Sequence, residues 1–501
     1  MAALCTLGID VGTTGLKVVV LHRDRGIVAQ ATRPHDLVSA HPGWAEEDPE
    51  QWWTTTQEAV RELLAIVPAE EIAAVGVSGM VPALVLLDAA GRPVRPSIQQ
   101  NDARTIVEVA ELRAAVDPAE FFAVTGGVVN QQNIDPRWRW LQRHEPEQVA
   151  RTAHICGSYD FIRYRLTSDL SLEENWAVES AFYDIRLHRW HTPYLEHARL
   201  NPALLPPVRQ PSAVVAGISK EAAEVTGLRA GTPVVTGSAD HVAAALAAGL
   251  TQTGDLLLKF GGAGDILYCT DHLEPDPHFY FDYHDIPGMG MINGCMATSG
   301  SLVKWFAKQV AGGMSLAALD HEAEGIPPGS DGILLLPYFL GEKTPIFDPS
   351  ARGVFAGVML HHTRAHLYRS VLEAVCYGFV HHLTLLYNSG RPVQRVLAAD
   401  GGSRSSLWMQ IAADMTDHTI EVVAGEAASA LGTAFVAAMG VHLFPDWNEI
   451  TRFVTRGPVY RPQKEVVQRY QKGFALYQEL YTRLHSFLPE LAQLQDKLKA
   501  V

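Results

Sequence analysis

Each half of the chain carries the same short grammar: an apolar run, a glycine turn and a second apolar run. In the first half residues 4–9 read as a buried strand, 10–15 as a Gly/Thr turn and 16–21 as a second strand. In the second half the run 255–260 is followed by Gly261-Gly262-Ala263-Gly264 and by the run 265–268. Alternation of period two, punctuated by glycine, marks β-hairpins. Two of them, one per half, leave two readings: related lobes divided near 250–253, as 1–249 and 250–501, or a coincidence of two common turns.

The rest of the pattern mixes helices with strands. Asp48 before Pro49 is a start signal for a helix over 49–66. Strands are expected at 72–77 and 83–88, the second closed by Ala90-Gly91-Arg92-Pro93. Further on, 395–399 reads as a strand, 400–403 as a glycine turn and 405–415 as a helix. Residues 427–438 predict a small-residue helix in which Gly432 permits close packing, and the tail 463–498 is largely helical. Strands alternating with helices over this length indicate an α/β protein.

At about 150 residues per domain, 501 residues suggest two to four compact units. The chain is 47% hydrophobic and 19% charged, enough apolar material for a sizeable core and unlike a disordered protein. Its formal charge is −15, and it has no basic run. That excludes the electrostatic footprint of a nucleic-acid binder and disfavours an anionic membrane surface. Five scattered cysteines without a CxxC fit a reducing, cytoplasmic compartment. The opening residues lack the basic start of a signal peptide, and the longest apolar stretch, 242–250, is half the length of a membrane span.

Asp10-Val11-Gly12-Thr13-Thr14-Gly15 is the most informative short stretch. Glycines let successive backbone N–H groups approach phosphate oxygens, threonines add donors, and a carboxylate at a strand end suits Mg²⁺ or its water shell. An ordinary turn containing an acid is the plainer reading. No Walker loop and no GxSxG elbow occurs. Gly237-Ser238-Ala239-Asp240-His241 lies between a strand at 233–236 and a helix at 242–248. Asp240 there is either a general base at the carboxyl end of a strand or a helix cap. The histidine pairs 361–362 and 381–382, and His278 with His284, lack ligand-type spacing with carboxylates or cysteines, so they read as surface or core residues.

Over essentially its whole length the chain resembles the FGGY carbohydrate kinases. The DVGTTG loop is similar to their first phosphate loop. Gly353-Val354-Phe355-Ala356-Gly357-Val358, with His366-Leu367 and Ser370 to Glu373, fits their C-terminal signature. Gly401-Gly402-Ser403-Arg404-Ser405-Ser406-Leu407-Trp408 resembles their adenosine-side loop, and Gly425-Glu426-Ala427 to Gly432 the helix after it. Asp240 stands where the family keeps its catalytic acid.

The resemblance implies an actin-like, ribonuclease H-like fold of two related lobes around a central cleft. The N-terminal lobe, 1–249, would carry the sugar side, the first phosphate loop and Asp240; the C-terminal lobe, 250–501, would carry the second phosphate loop and the adenosine site. Sugar and ATP would be the partners, with a homodimer left open. Asp10 would hold Mg²⁺. Gly12, Thr13, Thr14, Gly261, Gly262 and Ala263 would hold phosphate, with Gly300, Lys304, Gly401, Gly402 and Ser406 beside the nucleotide. Val81, Pro82, Asp102, Asp240 and His241 would face the sugar. D-xylulose, phosphorylated at O5, is the first expectation, ahead of other ketopentoses, a deoxy-ketose, a polyol or gluconate.

Several positions depart from the family pattern. Gly262 and Ala263 stand where hydroxyl residues are usual, Met80-Val81-Pro82 where a Gln-Met-His run is typical, Gln100 where tryptophan is often found and His241 where asparagine is usual. The N-terminal signature is only partly met, by Pro136, Arg137, Trp140 and Leu141. Two other readings follow: a non-enzymatic actin-like ATPase module, which would share only the DVGTTG loop, and a sugar sensor that binds without phosphorylating.

Overall fold

The computed structural model describes residues 3–424 and 428–499. Its contacts divide the chain into two units. The first comprises Met1–Thr251, His272–Met291 and Gly425–Val454; the second comprises Gln252–Asp271, Ile292–Ala424 and Thr455–Val501. The expected halves 1–249 and 250–501 are contiguous, and these units are not. The late segment joins the first unit because helix Ala428–Gly440 packs on its sheet. Glycines make the approach this close: a Cβ on Gly8 would lie 2.0 Å from the Ala430 carbonyl oxygen, and one on Gly76 2.7 Å from that of Thr433. Thr6 Oγ1 also donates to the Ala434 carbonyl at 2.7 Å. Val19, Leu21 and Ala74 of the sheet meet Ala430, Ala434 and Phe435 of the helix in one buried cluster.

In the first unit the main strands lie in the order Val214–Gly217, Pro233–Val235, Ile72–Gly79, Cys5–Gly12, Gly15–His22 and Gly26–Pro34. Cys5–Gly12 pairs antiparallel with Gly15–His22 and parallel with Ile72–Gly79. In the second unit Gly290–Met296, Gly264–Thr270, Asp255–Phe260, Arg395–Ala399, Ile420–Ala424 and Thr455–Tyr460 follow one another. Asp255–Phe260 is antiparallel to Gly264–Thr270 and parallel to Arg395–Ala399. The two sheets thus repeat one topology around one kind of hairpin. Of the two readings of the repeated turn, related lobes is the one the strand order supports.

Local signals place most elements. Asp48 caps helix Pro49–Leu64 by accepting from the Glu50 N–H, and Ser405 caps Ser406–Thr416 by accepting from the Trp408 N–H. Two expectations shift. The first hairpin is tighter than the 10–15 turn, since only Thr13 and Thr14 lie between its strands and Asp10 sits inside the first. The 83–88 run forms strand Val85–Leu87, which pairs with His154–Cys156 in a separate two-stranded sheet. All five cysteines are free. No helix among the described residues is long and apolar enough to cross a membrane.

Candidate active site

Sheet register sets the two acids of the first unit. Ser78 pairs on one side with Asp10 and on the other with Ser238. Gly237, at φ +102°, makes the second pairing attainable: a Cβ there would lie 1.9 Å from the Val77 carbonyl oxygen. The Ser238–Ala239 bridge then ends, and helix Asp240–Ala247 starts at the carboxyl end of the sheet. Ala239 occupies the N-cap, without a side-chain cap bond, so Asp240 is the first helical residue and not the cap.

Asp10 and Asp240 share an electrostatic environment. Burial, then the charge of Asp240, lifts the Asp10 carboxyl to about 7, against the Ser78 hydroxyl and Lys17. Ser78 Oγ donates to Asp10 Oδ1 at 3.0 Å. Asp240 Oδ1 accepts the His241 N–H at 2.7 Å, and its Oδ2 has no hydrogen-bond partner among the described residues. The His241 ring reaches the other way, with Nε2 3.0 Å from Oδ2 of the buried Asp282. Burial opposes charge on this imidazole, but Asp282 and Asp240 outweigh it and hold the ring's pKa well above its ordinary value. Burial, then Asp282, raises Glu179 to about 8; burial raises Asp285 to about 7. Asp282, Glu179 and Asp285 were not legible as site residues, because nothing in their spacing links them to Asp240.

The sugar-side expectations divide. Val81 and Pro82 are buried, and the Pro82 carbonyl accepts from Arg137 Nη1 at 2.6 Å while Arg137 Nη2 donates to the Gln100 carbonyl at 3.1 Å. Asp102 is a correction. Its Oδ2 accepts from the Ala45 N–H and Arg104 Nη2 (2.6 and 2.8 Å), and its Oδ1 from Arg104 N and Nε (3.0 and 2.9 Å). A carboxylate has about four acceptor positions. All are taken, so Asp102 fixes the loop and has nothing left for a sugar. A cavity of about 570 Å³ in this unit, lined by Glu174, Tyr183, Trp190 and Gln210 among others, includes neither Asp10 nor Asp240.

The phosphate-type turns are open on their N–H side. In the first unit the N–H groups of Thr13 and Thr14 make no hydrogen bond among the described residues. In the second unit the Gly261 carbonyl accepts the Gly300 N–H, and the Gly262 carbonyl accepts those of Ser299 and Ser301. The N–H groups of Gly261, Gly262 and Ala263 have no such partner among the described residues. Gly300 is needed for this contact, since a Cβ there would meet the Gly261 carbonyl oxygen at 2.6 Å. Gly402 is held between Trp408 and Phe260, Gly401 faces open space, and Lys304 and Ser406 are exposed. Gly425, Glu426 and Ala427 lie outside the described residues.

The C-terminal signature is built for packing. Glu373 accepts from the Gly329 N–H, Ser330 Oγ, Arg369 Nε and Tyr470 OH, and a Cβ on Gly353 would lie 2.2 Å from the Phe339 ring. Of the histidines, His382 is a core residue between Gly378 and Thr344. Asp331, His361 and His362 bring ligand-type atoms within 4.8 Å of one another. His362 Nδ1, however, accepts the Met359 N–H at 2.9 Å. The neutral ring then carries its proton on Nε2, which has no lone pair for a metal.

Comparison with known proteins covers both units. Residues 5–247 match the model of the FGGY family of carbohydrate kinases, N-terminal domain, and residues 268–441 match its C-terminal domain. The chain is 28% identical to the xylulose kinase of Bacillus subtilis strain 168 over 95% of its length and 96% of that protein's. It is 28% identical to the xylulose kinase of Escherichia coli strain K12, over 95% and 99%. The crystal structure of xylulose kinase from Rhodospirillum rubrum superposes with a TM-score of 0.93 at 42% identity, covering 97% of this chain and 99% of that one. The chain belongs to the FGGY family of carbohydrate kinases. Its fold is accordingly actin-like and its activity that of a sugar kinase.

Proposed function

We propose that this kinase transfers the γ-phosphate of ATP to a primary hydroxyl of a small ketose, D-xylulose at O5 before any other sugar, with Asp240 as the base. The observation that carries the reading is the state of Asp240: helix-borne, half-open, with Oδ1 occupied and Oδ2 free. Oδ2 accepts the hydroxyl proton as the sugar oxygen forms its bond to phosphorus, and the bond to the bridging oxygen of the leaving ADP breaks in line. The N–H groups of Thr13 and Thr14, and those of Gly261, Gly262 and Ala263, have no partner among the described residues and are donors suited to phosphate charge. Such fixed dipoles are what phosphoryl transfer depends on. Gly12 lets the first turn stay close to phosphate. Gly300, Lys304, Gly401, Gly402 and Ser406 are assigned to the nucleotide side. Val81, Pro82 and His241 are assigned to the sugar side.

Asp10 is the residue that would hold Mg²⁺ or its water shell. Burial and the nearby charge of Asp240 raise the proton affinity of Asp10, and a divalent cation beside it would offset that charge. When bound, the ion supplies charge neutralisation at the phosphates. The relatives named as xylulose kinases support the choice of sugar, and the cytoplasm is the compartment assigned. The test is ADP release, followed by a coupled assay across ketopentoses, a deoxy-ketose, polyols and gluconate. D-xylulose is expected to give the highest kcat/KM. A different preferred sugar would replace it, and a chain that releases ADP with none would be a sensor.

A further inference from the structure

We propose that His241 is a positioning residue: its ring, strapped between Asp240 and Asp282, fixes the rotamer of Asp240 and sets a positive charge beside it. The inference rests on Asp240 being the base.

The geometry has three parts. Oδ1 of Asp240 is held twice by the next residue, at 2.7 Å from the His241 backbone N–H and 3.5 Å from ring Nδ1. The far side of the ring is anchored, because Nε2 lies 3.0 Å from Asp282 Oδ2. Asp282 is fully buried on the short strand Tyr280–Tyr283, and its Oδ1 has no partner among the described residues. A buried carboxylate with a single side-chain partner needs that partner to be cationic. The imidazolium then serves both acids. It turns Oδ1 inward and leaves Oδ2 as the oxygen that meets the hydroxyl. Around the ring, Asp240 comes from its own helix, Asp282 from the strand, Glu179 from the end of helix Glu174–Glu179, and Asp285 from the loop after the strand. Arg137 acts on Glu179, and Asp10 acts with Asp240. An asparagine at 241 could repeat the backbone contact, but not the charge.

The experiment is the pH profile of kcat/KM for the sugar that the full chain phosphorylates fastest. In His241→Asn the acid limb is expected to move up by about 1 pH unit, the effect of losing a cation at this range. Asp282→Asn should move the same limb in the same direction, because it acts through the ring. The double variant should move it no further than His241→Asn alone. A raised KM with the limb unmoved would overturn the proposal and make His241 a direct sugar contact. Asp240→Asn separates this from the reading beneath it: near-native turnover there removes the base, whereas an inactive Asp240→Asn beside an unmoved limb removes only the role of His241. If the asparagine variant loses its cooperative thermal transition, ¹⁵N shifts of His241 in the native chain decide. Both ring nitrogens protonated at pH 8 support the strap, and a neutral ring refutes it.

Discussion

Gly432 lies flush against Ala243: a Cβ on Gly432 would stand 1.9 Å from the Ala243 carbonyl oxygen. Ala243 belongs to the helix that Asp240 begins, so the backbone of one helix is the floor for the other. A methyl group here must push backbone, which cannot rotate away. Gly432→Ala is expected to destabilise the chain by about 3 kcal/mol, the upper range for overpacking. The urea midpoint should fall with the slope unchanged. An unmoved midpoint would show that the two helices can separate freely.

The Gly432 contact was legible in outline, because a lone glycine in a small-residue helix announces close packing. Its partner was not. Ala243 is far away in sequence and nothing in either segment names the other. The same division holds for the site. Asp10 lies near the end of its strand, and the glycine turns and Asp240 follow strand ends, where hydrophobic period and punctuation mark them. Asp282, Glu179 and Asp285 reach His241 only through the tertiary fold, so no local pattern could have joined them to it. Asp102 failed for a related reason. Its motif was visible, but whether its four acceptor positions were free depended on Ala45, which only folding brings to it. The discontinuous first unit was hidden likewise, since the pairing of Gly8 with Ala430 spans most of the chain.

Glu173 gives a pH signature outside the catalytic site. It is fully buried, caps helix Glu174–Glu179 and takes the Tyr159 hydroxyl at 2.9 Å. Burial is the main cause that lifts its carboxyl from 4.5 to about 8, with the helix N–H groups and Tyr159 pulling the other way. Between those values the folded chain binds a proton that the unfolded chain has released. Stability from this group is therefore lost as pH rises through the window, at up to about 1.4 kcal/mol per pH unit. Glu173→Gln cannot ionise. Its Tm relative to the native chain should rise steadily from pH 5 to pH 8. Parallel Tm curves would show that Glu173 titrates normally.

Asp10 and Ser406 should separate chemistry from nucleotide binding. Asp10→Ala removes the carboxylate assigned to Mg²⁺, whose charge acts in the transition state, so kcat should fall by at least about 10²-fold. Ser406→Ala removes one exposed hydroxyl at the start of its helix and should mainly raise the KM for ATP. Steady-state kinetics with ATP and Mg²⁺ varied independently make the distinction. Equal losses of kcat in both variants would remove the division of labour.

The residues proposed for the sugar side are the least conventional, and the structure sharpens what they lack. Val81 has an apolar side chain, Pro82 has no N–H, and the Pro82 carbonyl is already committed to Arg137. This stretch has no side-chain donor for a sugar hydroxyl. A hydroxyl desolvated against it without a partner costs about 1–3 kcal/mol, and a substrate lacking that hydroxyl escapes the cost. The native enzyme is therefore expected to discriminate little between D-xylulose and its 1-deoxy analogue. Pro82→His should restore a donor and shift the ratio of kcat/KM towards D-xylulose by about 10-fold or more, as 1.4 kcal/mol would. The measurement is the two kcat/KM values in each protein under one set of conditions. If the native chain already prefers D-xylulose by orders of magnitude and Pro82→His leaves that ratio unmoved, another wall supplies the contact. Gln100, hydrogen-bonded to Gln132 at 2.8 Å, and His241 would be the residues to change next.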